Sequence, residues 1–186
     1  MGKVLIFFSF ILFSLSCTKS PNPLNLESSD HFEHQLQTDD KNLSIKKAIL
    51  KTVHGNITIK FYSKHAPNTV TRFMNLVETG FYNGLKFHRV IPNFVIQTGD
   101  PTGTGTGGSG QKLKAEFNEI QHIKGTVAMA RAQSPDSADS QFYIALSTLP
   151  HLDKKYTVFG QVINGLEILD KISKGDQILN FSLINK

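Results

Sequence analysis

The sequence predicts a mainly β fold, a closed antiparallel barrel accompanied by two helices. Three observations carry that prediction. Short runs of strand character recur along the chain, Gly-, Pro- or Asp-containing loops divide them, and only two stretches show helical spacing. The first pair of runs, Ala48–Val53 and Asn56–Tyr62, flanks His54-Gly55. There Ile57, Ile59 and Phe61 alternate with Thr58, Lys60 and Tyr62, as in a hairpin with one buried face. Pro67 stands where a first helical residue is tolerated. Val70, Phe73, Met74 and Val77 follow at helical spacing, and Gly80 ends the pattern. Short strands are then expected at Lys86–Val90, Phe94–Thr98, Thr126–Ala130, Gln141–Ala145 and Tyr156–Val162. Asn164-Gly165 opens a second helix carrying Leu166, Leu169 and Ile172, which Gly175 closes, and Ile178–Ile184 forms the last strand.

Length and composition bound the class. At 186 residues and 39% hydrophobic, with many Phe and no Trp, the chain suits one compact domain plus extensions. The net charge of +5 comes from scattered lysines rather than a focused patch, so a solvated surface is expected and nucleic-acid binding is not.

The N-terminus is read as lying outside the fold. Met1-Gly2-Lys3 is a short positive start, and Val4–Leu15 is an apolar run broken only by Ser9 and Ser14. The run is too short to span a bilayer comfortably and ends in small residues, as an export signal does. Cys17 follows and is the single cysteine, which excludes a disulfide within the chain. Ser14-Leu15-Ser16-Cys17 resembles a bacterial lipoprotein processing box, in which the Cys is lipidated; that box usually has Leu where Ser14 stands. An ordinary cleaved signal with an incidental Cys is the other reading. The polar segment that follows, with Pro21 and Pro23, reads as a flexible tether. The expected organisation is a signal peptide at 1–16, a tether at 17–44 beginning at a lipidated Cys17, and a folded domain at 45–186. His31 and His34 have helical spacing but no third ligand nearby, so no metal site is expected there.

Function concentrates in Phe87-His88-Arg89-Val90-Ile91-Pro92-Asn93-Phe94-Val95-Ile96-Gln97-Thr98-Gly99-Asp100, where an Arg stands among alternating apolar residues and a single amide follows Phe94. This run resembles the signature of the cyclophilins, peptidyl-prolyl cis-trans isomerases. The resemblance continues through Gly103–Gly110, Gly125–Ala132, Ser140–Ile144, Leu152-Asp153 and Tyr156–Val162. It covers Ile45 to Lys186 and implies an eight-stranded barrel capped by a helix at each end. It also implies a monomer acting on proline-containing polypeptide clients during the folding of envelope or secreted proteins. A peptide-binding chaperone or surface protein on the same fold, with incidental activity, is the rival.

The chemistry fits the residue types. An X–Pro bond rotates slowly because its amide is resonance-stabilised, with a barrier of about 18–20 kcal/mol. A catalyst must favour the twisted state and needs no nucleophile, metal or cofactor. A guanidinium such as Arg89 can donate to the proline nitrogen and nearby carbonyl groups without losing its charge. The resemblance makes Arg89, Phe94 and Gln97 the catalytic set, with Phe94, Tyr143 and Leu152 around the proline ring. Val95, Gly105, Ala130, Arg131, Gln141, His151 and Tyr156 complete the peptide site. Val95 replaces a common Met, Tyr143 a common Phe, and Arg131 and Tyr156 an Asn and a His frequent in eukaryotic relatives. A buried Tyr143 hydroxyl would need a partner. Arg131 either biases substrates beside the proline or faces solvent. His151 stands where cyclosporin-sensitive relatives carry Trp, which implies weak inhibition.

Two attractive patterns are set aside. Gly103-Thr104-Gly105-Thr106-Gly107-Gly108 satisfies a dinucleotide pattern, but Leu113, Ala115 and Phe117 then alternate as in a strand, where that fingerprint needs a helix. His88, Ser140, Asp100 and Asp153 suggest a hydrolase, without any nucleophile-elbow pattern.

Overall fold

A computed structural model describes residues 46–184. The expected signal peptide, the tether with Cys17, and the His31/His34 pair lie outside the described residues. Eight strands make one antiparallel sheet: β1 (Lys47–Thr52), β2 (Gly55–Phe61), β3 (Arg89–Ile91), β4 (Val95–Thr98), β5 (Thr126–Met129), β6 (Phe142–Ala145), β7 (Val158–Asn164) and β8 (Ile178–Ile184). Their spatial order is β3-β4-β6-β5-β7-β2-β1-β8.

The sheet is curled but open, which corrects the expected closed barrel. Closure needs the edge strands β3 and β8 to share a ladder, and they do not. β3 has only three residues and pairs with β4 alone. Pro92 and Asn93, the latter at φ 59°, turn the chain directly after it. The segment before β3 meets the segment before β8 instead, through an isolated bridge between Lys86 and Gln177. Phe87 N donates to Asp176 O at 2.9 Å and Ile178 N to Leu85 O at 2.9 Å beside that bridge. The strand expected from Lys86 is therefore spent on this seam rather than on β3.

Helix α1 (Pro67–Glu78) has Pro in its first turn and buries Val70, Phe73, Met74, Leu76 and Val77. Its end is a left-handed glycine cap: Gly80, at φ +72°, and Phe81 donate to the carbonyls of Val77 and Leu76. Its start has no side-chain cap of its own. A distant carboxylate, Glu116, accepts from the backbone of Asn68 at 3.0 Å and of Thr69 at 2.8 Å. The segment that carries Glu116, read as a strand from Leu113 to Phe117, is not one. Beyond a bridge from Leu113 to Ala138, its backbone is satisfied by side chains, Ala115 N by Asp136 and Glu116 N by Thr157. The second helix, α2 (Leu166–Leu169), is a single turn. After it the chain continues in tight turns that still bring Ile172 into the core. Among the described residues no helix is long and apolar enough to cross a membrane.

Phe73 of α1 accounts for part of the Phe-rich composition. Its ring lies 4.7–5.7 Å from those of Phe61, Tyr82, Phe142, Phe159 and Phe181, mostly edge-on or tilted. The two-residue period of β4 and β6 then divides the interior. Ile96, Phe142 and Ile144 face this large core, while Val95, Tyr143 and Ala145 join Ala128, Leu149 and Val158 in a smaller cluster. Phe94, Ala130, Leu152 and Tyr156 pack on the outside of that smaller cluster.

Candidate active site

β3 and β4 pair with Arg89 opposite Gln97, which brings the guanidinium and the amide to one face at the sheet edge. Arg89 Nη1 donates to Gln97 Oε1 at 3.2 Å, and Gln97 Nε2 donates to Gln141 Oε1 at 2.9 Å. Gln141 Nε2 donates in turn to the carbonyls of Gly105 at 3.0 Å and Gly107 at 2.8 Å. Each amide thus has a defined orientation, and a polar relay runs from the glycine loop to Arg89. Both Gln side chains are engaged within the protein and orient Arg89; Gln97 keeps one free N–H proton, whereas Gln141 spends both of its protons on the glycine-loop carbonyls.

The tight turn after β3 swings Phe94 back beneath the guanidinium, whose carbon lies 5.5 Å from the ring centroid. On Phe94 the His151 imidazole stacks at 6.0 Å and 11°. The site therefore opens on a layered edge of guanidinium, phenyl and imidazole. Below it lies a hollow of about 170 Å³ lined by Arg89, Phe94, Val95, Gln97, Ala130, Arg131, Tyr143, Leu152 and Tyr156. Its charged and amide groups sit at the rim, and its floor is the nearly dry face of Val95 and Tyr143. Such a place strengthens a dipolar interaction with the rim cation. Of the expected set, Gly105 and Gln141 line a second, adjoining groove of about 360 Å³, which shares Gln97, Ala130 and Arg131 with the first. His151 lines neither and stands one layer out, over Phe94.

The glycine loop is built around a buried carboxylate. Asp100 accepts from Thr102 N and Thr102 Oγ1, both at 2.7 Å, and from Gly105 N at 2.5 Å. Burial pushes this carboxyl up, but the Thr102 hydroxyl and the backbone N–H groups of Thr102, Gly105 and Gly107 prevail and hold it at about 2. Gly107 is required by space: a Cβ there would come within 2.1 Å of Asp100 Oδ1. The loop holds a side-chain carboxylate where a dinucleotide loop would offer its N–H groups to phosphate.

Arg131 faces neither solvent nor open groove freely. Its guanidinium lies 4.8 Å over Tyr156 and 5.8 Å from Phe117. Its Nε and Nη2 donate to Lys155 O, and its Nη1 donates to the carbonyls of Ala132 and Gln133. The side chain is a clamp between three loops that wall the hollow.

The Tyr143 hydroxyl has its partner in His122, at 2.9 Å from Nε2, and Asp153 Oδ1 stands 2.9 Å from the other ring nitrogen. Sequence reasoning missed His122 because it lies in an irregular segment with no period to show which way it faces. The only signal was the need of a buried Tyr hydroxyl for a partner. The hydrolase arrangement does not form: Ser140 Oγ donates to Gly99 O at 2.7 Å, and both ring nitrogens of His88 are buried without a hydrogen-bond partner.

Comparison with known proteins agrees with this architecture. The family model for cyclophilin type peptidyl-prolyl cis-trans isomerase/CLD matches residues 47–182. A peptidyl-prolyl cis-trans isomerase of Helicobacter pylori is 48% identical over 135 residues, covering 70% of this chain and 82% of that one. One from Synechococcus elongatus is 44% identical over 140 residues, covering 74% and 96%. Among solved structures, a cyclophilin-type isomerase of Cryptosporidium parvum superposes with a TM-score of 0.71 at 30% identity, over 76% of this chain and 99% of that one. The same protein, solved in the presence of the dipeptide Ala-Pro, gives 0.69 at 30% identity, over 75% and 99%. A chain whose described residues form eight antiparallel strands and two α-helices, and whose residues 47–182 match the family model, belongs to the cyclophilin-type peptidyl-prolyl cis-trans isomerases.

Proposed function

We propose that this isomerase turns over its substrate in the hollow below Arg89, with Arg89, Phe94 and Gln97 as the catalytic set. One observation carries the assignment: the guanidinium is held over Phe94 and aimed by Gln97 at the mouth of an apolar hollow. The proline ring enters among Phe94, Val95, Tyr143 and Leu152, and the flanking peptide runs past Ala130, Tyr156, Gln141 and Gly105. As the amide twists, conjugation is lost and the proline nitrogen gains electron density, which Arg89 meets with an N–H donor. The planar ground state gains less from that donor, so the interaction lowers the barrier rather than only tightening binding. Arg131 and His151 act on the walls, the first as a clamp and the second as backing for Phe94. The Ala-Pro dipeptide present with the Cryptosporidium relative supports a proline-containing peptide as ligand of the same kind of site.

The clients are envelope or secreted polypeptides, reached by a monomeric domain exported across the cytoplasmic membrane and held there by lipid on Cys17. The decisive experiment for the site is isomerisation of a proline peptide by the wild type beside Arg89→Ala. Turnover should fall steeply in a variant whose circular dichroism is unchanged, and full activity in that variant would refute the assignment.

A further inference from the structure

The ring of Tyr143 walls the hollow, yet its hydroxyl is held by His122, which is fully buried and does not line that hollow. Asp153 Oδ1 accepts the backbone N–H of His122 at 2.8 Å and stands 2.9 Å from its Nδ1. An ionised carboxylate only accepts, so Nδ1 carries the imidazole proton and Nε2 is left as an acceptor. The Tyr143 hydroxyl therefore donates to Nε2. Asp153 directly follows Leu152, another wall of the hollow. One buried imidazole thus fastens β6, through Tyr143, to the turn that carries Leu152.

We infer that His122 is a positioning residue of this isomerase: in its neutral form it ties Tyr143 to the Leu152–Asp153 turn and so sets the shape of the proline pocket. This rests on the pocket assignment proposed above. His122 touches no substrate; it acts through Tyr143. Protonation would turn Nε2 into a donor, and the Tyr143 hydroxyl, which has no other partner among the described residues, would be left buried without an acceptor. The groups that bear on that proton are few. Asp153 favours it, while burial and His151 oppose it, and burial prevails, so the imidazole stays neutral at neutral pH. Tyr156 packs edge-on against the Tyr143 ring at 5.8 Å and carries the Arg131 guanidinium over its own face.

The test is the pH profile of kcat/KM on a short proline peptide with no titrating side chain, for the full chain and for Tyr143→Phe. From neutral pH downwards, as far as circular dichroism shows the fold intact, the wild type should lose about tenfold, mostly through KM, and recover on return to neutral pH. Tyr143→Phe needs no acceptor, and its profile over the same range should be flat, whatever its level. A flat wild-type profile, or two parallel profiles, would overturn the inference. The second arm is His122→Leu at neutral pH. It should lose about fivefold beside an intact Tyr143 and less than about twofold when combined with Tyr143→Phe. Equal losses in both backgrounds would also overturn it, and a His122→Leu chain that does not fold leaves the pH profiles to decide. Full activity in Arg89→Ala would instead refute the pocket assignment, so the two failures are distinguishable.

Discussion

Arg89 is exposed at the sheet edge, and its guanidinium keeps its aim through the Gln97 carbonyl and the face of Phe94. Removing the cation should therefore cost more than removing its guide. Arg89→Ala is expected to lower kcat/KM by at least about tenfold, mainly in kcat, and Gln97→Ala by only a few-fold, because Phe94 still supports the guanidinium. Steady-state kinetics on one peptide ranks them, and the reverse order would show that the amide matters more than the charge. His151 makes a second residue-scale prediction. Its imidazole covers Phe94 at 6.0 Å, but it offers less apolar area than the indole of cyclosporin-sensitive relatives. His151→Trp should tighten cyclosporin binding with little change in turnover. Equal and tight inhibition before and after the change would show that this position does not set the affinity. At this scale the candidate site was largely legible, since most expected residues surround one hollow. The use of Arg131 was not, because Phe117 and Lys155, which hold it, are distant in sequence and carry no spacing signal.

Among the elements, the loop from Asp100 to Gly107 carries the relay's far anchor, since Gln141 donates to two of its carbonyls. Asp100 organises that loop, and its folded value of about 2 lies below the ordinary 3.8. A depressed carboxyl stabilises the fold fully above its unfolded value, and the contribution fades as pH falls from about 4 towards 2. Asp100→Asn is thus expected to lose about 2 kcal/mol at neutral pH and to approach the wild type as both are acidified. Urea unfolding at neutral pH and near pH 3 measures this, and a constant difference across that range would contradict it. Helix α1 shows the same dependence on distant partners. Its apolar stripe and its glycine stop are written locally, whereas its N-terminal cap comes from Glu116, far along the chain. The alternation read from Leu113 to Phe117 was real but recruited no strand partner, because side chains already satisfied its backbone.

For the whole molecule, the proposed anchor makes the remaining prediction. The lone Cys17 closes an apolar run and precedes a polar segment, so native protein from the producing cell should begin at a lipid-bearing Cys17. Intact-mass analysis decides it, and an unmodified Cys17 or a different N-terminus would remove the anchor. Cys17→Ala should then leave the membrane fraction while keeping its isomerase activity, because the folded domain carries the candidate site.

Local periodicity and the ordered motif blocks were enough to determine the mainly β class, the hairpin, helix α1, strand β8 and the isomerase family. The elements follow from a two- or three-to-four-residue repeat, and the family from the resemblance that the ordered motif blocks carry. Tertiary structure alone decided that the sheet stays open, since closure depends on whether β3 is long enough to meet a strand formed some ninety residues later. It likewise decided that Arg131 is a clamp and that His122 stands behind Tyr143. Such pairings are fixed by which loops pack together, and an irregular loop carries no period from which a side chain's direction could be read.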